Sequence, residues 1–322
     1  MNMAEREVYP IEVEFPDISA YAEGNAGLPY AYTFDSSVPG PHVMINALTH
    51  GNEVCGAIAV CGLLDAGLRL RRGKLTLAFA NVDAYARFDP ANPDASRFVD
   101  QDFNRVWSEA ALDDASRDSS ELRRARAMRP LVDSVDWLLD LHSMHERSAP
   151  LNVCGPHDKG IALARRLGVP AWIVSDAGHP EGRRMRDYGG FGEAGSPKEA
   201  LLVECGQHWE AQAVAVARDC SARFLLLAGV IDEQDLPAGW LAAPGAPVKV
   251  VRVTEPVVAR SMDFRFAGPY TGLETFPEQG SVIGWNAGEP VTTPYPNCVL
   301  VMPSLRQLRA GVTVVRFGQL LP

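Results

Sequence analysis

The chain has no stretch approaching the roughly 20 apolar residues of a membrane span, so no transmembrane helix is expected. It has no C-x-x-C pair. Its six cysteines (Cys55, Cys61, Cys154, Cys205, Cys220, Cys298) are scattered, mostly inside apolar runs. That points to buried reduced thiols of a cytoplasmic enzyme and excludes a disulfide scaffold. Positive charge is short as well: 30 Lys and Arg against 40 Asp and Glu give a formal net charge of -10. Such a balance argues against nucleic acid or an anionic membrane as a general partner. The first 15 residues contain no apolar core of a secretory signal, and none is expected. Internal repeats and low-complexity tracts are absent. So is a G-x-S-x-G nucleophile elbow, and Cys205 adjoins Glu204 rather than a histidine, which disfavours a serine or cysteine hydrolase.

What is present is an ordinary globular composition, 47% hydrophobic and 22% charged over 322 residues. That length suits two domains with a sizeable core. Two short extended runs, Val8–Phe15 and Tyr30–Phe34, are expected as an antiparallel sheet edge. Apolar runs at 42–48, 74–80, 135–141, 151–154, 171–174 and 199–203 read as strands. Helical patterns cover 53–66, 119–132 (with Ser119 as N-cap), 161–167 and 210–231. The segment 81–118 is a long polar loop, and loops of that length in compact domains are usually functional. From about residue 236 the pattern changes to short β-rich runs divided by Gly and Pro. The chain is therefore divided into a catalytic domain at 1–236 and a β-rich domain at 237–322. The fold class is α/β, a mixed, mostly parallel sheet flanked by helices, followed by the small all-β domain.

Three apolar runs end in residues that bind metals or move protons. The first runs into Thr49-His50-Gly51-Asn52-Glu53, where Gly51 is read as freeing the backbone of a strand-to-helix turn. The second runs into His142, and the third into Glu204. Parallel strands bring their carboxyl ends to one edge of the sheet, where open α/β sheets bind ligands. Two histidines and a glutamate, with a fourth position left to water, form a catalytic zinc set. His50, Glu53 and His142 are thus the expected ligands of one zinc ion. Glu204 stands where it could take a proton from water. Asp140, two residues before His142, shares its face of the strand and could hold it by a hydrogen bond.

Four blocks carry a resemblance: HGNE at 50–53, SRFVDQDFNRVW at 96–107, LLDLHS at 138–143 and LLVECGQH at 201–208. In order and spacing they resemble the succinylglutamate desuccinylase/aspartoacylase family, a branch of the zinc-carboxypeptidase-like hydrolases. The resemblance implies zinc-dependent hydrolysis of the amide of a small, anionic N-acyl amino acid, with Glu204 as general base. It implies that Arg97 stabilises the oxyanion and that Asn104 and Arg105 clamp a substrate carboxylate. Arg186 and Tyr188 are loosely matched as further substrate contacts. A zinc carboxypeptidase acting on peptides is the alternative; the β-rich segment, which in the family narrows access to the zinc, favours the small substrate. Gly190–Gly195 has the form G-x-G-x-x-G, but no strand precedes it, and it is read as a mobile flap. Tyr295 is expected to pack a turn, His208 to lie at a helix surface, and His145 to point away from His142. The acyl group, the amine and any homo-oligomeric state are left open.

Overall fold

The computed structural model describes residues 9–179, 181–243 and 245–322. The elements, in order, are β1 (Ala31–Asp35), β2 (His42–Ala47), α1 (Val54–Asp65), β3 (Lys74–Phe79), α2 (Val82–Tyr85), α3 (Glu109–Asp113) and α4 (Ser120–Asp133). Then come β4 (Trp137–Met144), β5 (Leu151–Val153), α5 (Asp158–Leu167), β6 (Trp172–Ser175), β7 (Glu199–Gln207) and α6 (Ala211–Ala228). The β-rich part holds β8 (Lys249–Val258), β9 (Arg265–Phe266), β10 (Thr275–Phe276), β11 (Val282–Asn286), β12 (Glu289–Thr292), β13 (Cys298–Val301) and β14 (Thr313–Leu320).

An 11-stranded sheet runs β1-β3-β2-β4-β7-β5-β6-β8-β14-β13-β10, and β12-β11-β9 form a separate antiparallel sheet. Strands β3, β2, β4 and β7 are mutually parallel. They read as unbroken apolar runs because both faces are covered. Alternation decides which face each side chain serves. Val43, Ile45, Leu139 and Leu141 pack with α1, α5 and α6, whereas Met44 and Leu138 face α3 and α4. α1 packs so closely that a Cβ on Gly56 would stand 2.8 Å from Leu141 Cβ.

The expected α/β mixed sheet with flanking helices is observed. β1 pairs antiparallel with β3 as expected. The other edge expectation is not met: Val8 lies outside the described residues, and no strand forms from Tyr9 to Phe15. Pro10 and Pro16 bracket that segment and lack ladder donors. It packs instead over the end of the sheet, where Tyr9 joins Val54 and Trp209 and Glu12 N donates to Trp209 O at 3.0 Å. The boundary drawn at 236/237 falls between α6 and β8. The sheet itself crosses it, since β8 pairs parallel with β6. Pro244 of the linker lies outside the described residues. All six cysteines are free thiols, five of them buried. Among the described residues no helix is long and apolar enough to cross a membrane.

The polar segment 81–118 is ordered by α4. Ser119 caps that helix by accepting from Leu122 N at 3.0 Å. The wholly buried Glu121 accepts from the backbone N–H groups of Val99, Asp100 and Gln101 at 2.7, 3.1 and 3.2 Å. It also accepts from Asn81 Nδ2 at 3.1 Å. One carboxylate thus fixes the loop between Arg97 and Arg105. Glu121→Gln turns one acceptor into a donor facing these N–H groups. It is expected to cost about 2 kcal/mol of stability, read as a lowered urea midpoint; an unchanged midpoint would refute the role.

Candidate active site

The turn after β2 is tightly built. Gly51 does not adopt a positive φ; that conformation falls to Leu48, at φ 58°. Gly51 is small for another reason: a Cβ there would lie 2.3 Å from Ser96 O and 2.5 Å from Tyr85 N. Space, rather than backbone freedom, demands glycine. The close approach lets Gly51 N donate to Arg97 O at 3.0 Å, so the turn carrying His50 is clipped to the loop carrying Arg97.

The structure brings His50, Glu53 and His142 together, all buried, with potential ligand atoms within 4.8 Å of one another. His50 Nδ1 lies 2.7 Å from Glu53 Oε1, and His142 Nδ1 lies 2.8 Å from Glu53 Oε2. Both rings turn the same nitrogen inward. Both outer nitrogens meet carboxylates: His142 Nε2 stands 2.9 Å from Asp140 Oδ2 and His50 Nε2 stands 2.9 Å from Asp102 Oδ1. Paired carboxylate–histidine contacts of this kind orient metal-binding imidazoles and leave the inward nitrogens free to ligate. Asp140 accepts further from Asn46 Nδ2 at 2.8 Å and Thr49 Oγ1 at 2.9 Å.

Electrostatics support a cation. Burial alone would raise the Glu53 carboxyl, yet His50 and His142 hold it well below the usual carboxylate range. His142, also buried, is driven well above its ordinary value by Asp140 and Glu53. Two buried carboxylates (Glu53, Asp140) and the half-buried Asp102 therefore confront one arginine and two imidazoles. A divalent ion between the rings would supply positive charge opposite these carboxylates. The donor set and its braces fit such an ion.

Glu204 sits beside this group because β4 and β7 pair with His142 opposite Glu204. Burial raises its carboxyl above the usual range, and its Oε2 is buried with no hydrogen-bond partner. Arg97 reaches Glu53 Oε1 with Nη1 at 3.1 Å and Asp102 Oδ2 with Nη2 at 3.5 Å. Its Nη2 also lies 3.0 Å from His50 Nε2. That ring nitrogen cannot both donate to Asp102 and accept from Arg97, and the carboxylate is the stronger partner.

One cleft of about 160 Å³ collects His50, Glu53, His142, Glu204, Arg97, Asn104 and Arg105. Asn104 Oδ1 accepts from Met185 N at 3.1 Å. Arg105 donates from Nη1 to Asn104 O at 2.9 Å, and its buried Nε faces Glu181 Oε2 at 3.8 Å without a hydrogen bond. Val301, Met302 and Arg316 from the β-rich part close the cleft. Arg316 and Asp102 escaped the sequence reading. Asp102 had a local signal in its D-x-N-R block; Arg316, more than 200 residues downstream of Arg105, had none. Arg184 lines the cleft too, but Asp176 and Asp187 occupy its guanidinium.

Arg186 and Tyr188 are not brought to the cleft. Arg186 is buried against Asp187 and Cys154 O. Tyr188 OH binds Asp133 at 2.8 Å, with its ring against Trp107. The Gly190–Gly195 segment is likewise remote: Phe191 is buried, and Lys159 Nζ holds Gly190 O at 2.9 Å. It lines no part of the cleft. Tyr295 binds Thr254 Oγ1 at 2.7 Å in the β-rich part, away from the site. His145 departs from expectation, for β4 ends at Met144 and the chain then turns His145 into the cleft wall. His208 departs as well, being buried rather than at a helix surface.

The model of the succinylglutamate desuccinylase/aspartoacylase catalytic domain matches residues 39–228, more than half of the chain. The chain belongs to this family. It is thus a hydrolase of desuccinylase/aspartoacylase type, from a family that acts on small acyl amino acids. No curated protein sequence matches the chain. Solved desuccinylase-fold structures share its architecture. Succinylglutamate desuccinylase from Vibrio cholerae is 16% identical, with a TM-score of 0.63 over 91% of this chain and 86% of that one. The ectoine utilization protein of Ruegeria pomeroyi is 15% identical, with a TM-score of 0.62 over 89% and 88%. The succinylglutamate desuccinylase/aspartoacylase of Rhodobacter sphaeroides is 18% identical, with a TM-score of 0.60 over 88% and 87%. At these identities the likeness is one of fold.

Removing a carboxylate that braces a ligating histidine typically weakens metal binding about 10–100-fold. Asp102→Asn is expected to show this loss in competition against a zinc chelator. Wild-type affinity in that variant would separate Asp102 from the centre.

Proposed function

We propose that this family member is a zinc-dependent deacylase that hydrolyses the amide bond of a small, carboxylate-bearing N-acyl amino acid. One observation carries the reading: two imidazoles and a shared carboxylate converge in a cleft whose next strand end presents a buried, unpartnered carboxylate oxygen on Glu204. His50, Glu53 and His142 would hold the zinc, which makes a bound water more acidic and polarises the substrate carbonyl.

The chain's own residues account for the rest. Glu204 takes a proton from the attacking water as its oxygen adds to the carbonyl carbon. It then delivers that proton to the amide nitrogen as the C–N bond breaks, giving a carboxylic acid and an amine. Arg97 donates to the oxygen that becomes negative in the tetrahedral intermediate, the point where fixed donors lower a barrier most. Asn104 and Arg105 face a carboxylate of the substrate, for which the guanidinium fork is suited. Val301, Met302 and Arg316 wall one side of the cleft, which supports a compact acyl amino acid over the carboxypeptidase alternative.

Glu204→Gln is expected to retain stoichiometric zinc while hydrolysis of a responsive N-acyl amino acid falls about 10²–10⁴-fold. Normal turnover with metal bound would remove Glu204 from the role of base. Arg105→Met is expected to raise KM about 10–100-fold for carboxylate-bearing substrates, with little effect when that carboxylate is an amide. An equal penalty on both substrates would argue against carboxylate recognition.

A further inference from the structure

A second cluster beside the cleft also has the makings of a metal site. Asp94 comes from the 3-10 turn Pro93–Ser96, His145 follows β4 directly, and His208 follows β7 directly. Their potential ligand atoms lie within 4.8 Å of one another. His145 Nδ1 is 3.1 Å from His208 Nε2 and 3.7 Å from Asp94 Oδ1. That Asp94 oxygen is buried and has no hydrogen-bond partner. A buried carboxylate oxygen left open beside two imidazoles is costly unless something positive joins it.

The outward atoms are braced, as ligands of a metal usually are. His208 Nδ1 lies 2.9 Å from Ser143 Oγ, and His145 Nε2 lies 3.0 Å from the side-chain amide of Gln307. Asp94 Oδ2 faces Arg306 Nη1 at 3.5 Å, but Arg306 also faces Glu146 Oε1 at 3.3 Å. The arginine's charge is therefore shared, and Oδ1 stays available. Burial holds both imidazoles below their ordinary values, so both are neutral near pH 7. An adjoining cavity of about 910 Å³, lined by Asp94, His145, Arg306 and Gln307 among others, gives access.

We propose that Asp94, His145 and His208 form a second site for a divalent ion of the zinc, cobalt or nickel type, separate from His50, Glu53 and His142. Nitrogen-rich sets with one carboxylate suit these ions. Binding requires the His145–His208 hydrogen bond to give up its proton. That proton leaves to solvent or moves to His145 Nε2, where the Gln307 amide turns over to accept it. The bound ion cross-links the 93–96 turn to the ends of β4 and β7, the strand ends that carry His142 and Glu204. Ser143 joins the two centres, with Oγ on His208 and its backbone N–H 3.3 Å from Glu53 Oε2.

The test is metal counting. Whole protein is stripped with a chelator, titrated with zinc, desalted and measured by mass spectrometry. Wild type is expected to carry two ions per chain, and Asp94→Asn and His145→Gln one each. His142→Ala is expected to keep the second-site ion. Loaded with cobalt, His142→Ala should show visible absorption that Asp94→Asn abolishes when added to it. Asp94→Asn is nearly isosteric at a part-exposed position, and matching melting curves without zinc confirm its fold. Zinc content unchanged from wild type in both Asp94→Asn and His145→Gln overturns the proposal. A loss in His142→Ala alone bears on the cleft and not on this site, so the two readings fail separately.

Discussion

The structure turns on one buried carboxylate shared by two imidazoles. Glu53 presents one oxygen to His50 and the other to His142, and Arg97 joins from the side. An ionised carboxylate taken out of water loses several kcal/mol of solvation unless charge and hydrogen bonds replace it. Here three cationic or polarisable partners converge on it, and Asp102 and Asp140 stand behind the rings. The arrangement makes sense as a socket for positive charge, not as an ordinary ion pair.

The precision of that socket comes from backbone features far less chemical than the side chains they place. Parallel registry sets Asn46 opposite Asp140 and His142 opposite Glu204, so His142 and Glu204 sit on adjoining strand ends. Gly51 lets the first turn press against the 84–96 backbone. Glu121, reaching from α4, gathers three loop N–H groups and so determines where Arg97 and Arg105 emerge. Positioning within a fraction of an ångström is what such catalysis needs, and rigid elements deliver it better than free loops.

Much of this was legible in the chain. Apolar runs ending in His50, His142 and Glu204 marked the strands, and their parallel pairing followed from helices between them. Asp140 was readable as a brace because side chains two apart on a strand share a face. The rest was not legible for definite reasons. Arg316 reaches the cleft only because β8 extends the main sheet and β14 pairs with it, and no local pattern reports which strand edge a later segment will join. His145 departs from strand alternation because β4 stops one residue earlier. Arg186 and Tyr188 were suggested only by a loose match to the family, yet Arg184 takes the cleft position while they serve the packing beneath it. Gly51 was correctly singled out, but for the wrong reason, since crowding cannot be seen without the neighbouring loop.

Four arginines, Arg97, Arg105, Arg184 and Arg316, line the cleft beside Glu53, Asp176 and Glu204. Among them His179 is held near a pKa of about 2 by burial and by Arg316, so it stays neutral and accepts from Arg316. These guanidinium groups gather at one cleft in a chain whose net charge is -10. The most direct test of the whole account is an anomalous difference map at the zinc edge from crystals of zinc-loaded protein. The account predicts a strong peak within about 2.0–2.2 Å of His50 Nδ1, His142 Nδ1 and a Glu53 oxygen. A fully loaded crystal with no peak between those three side chains would contradict it.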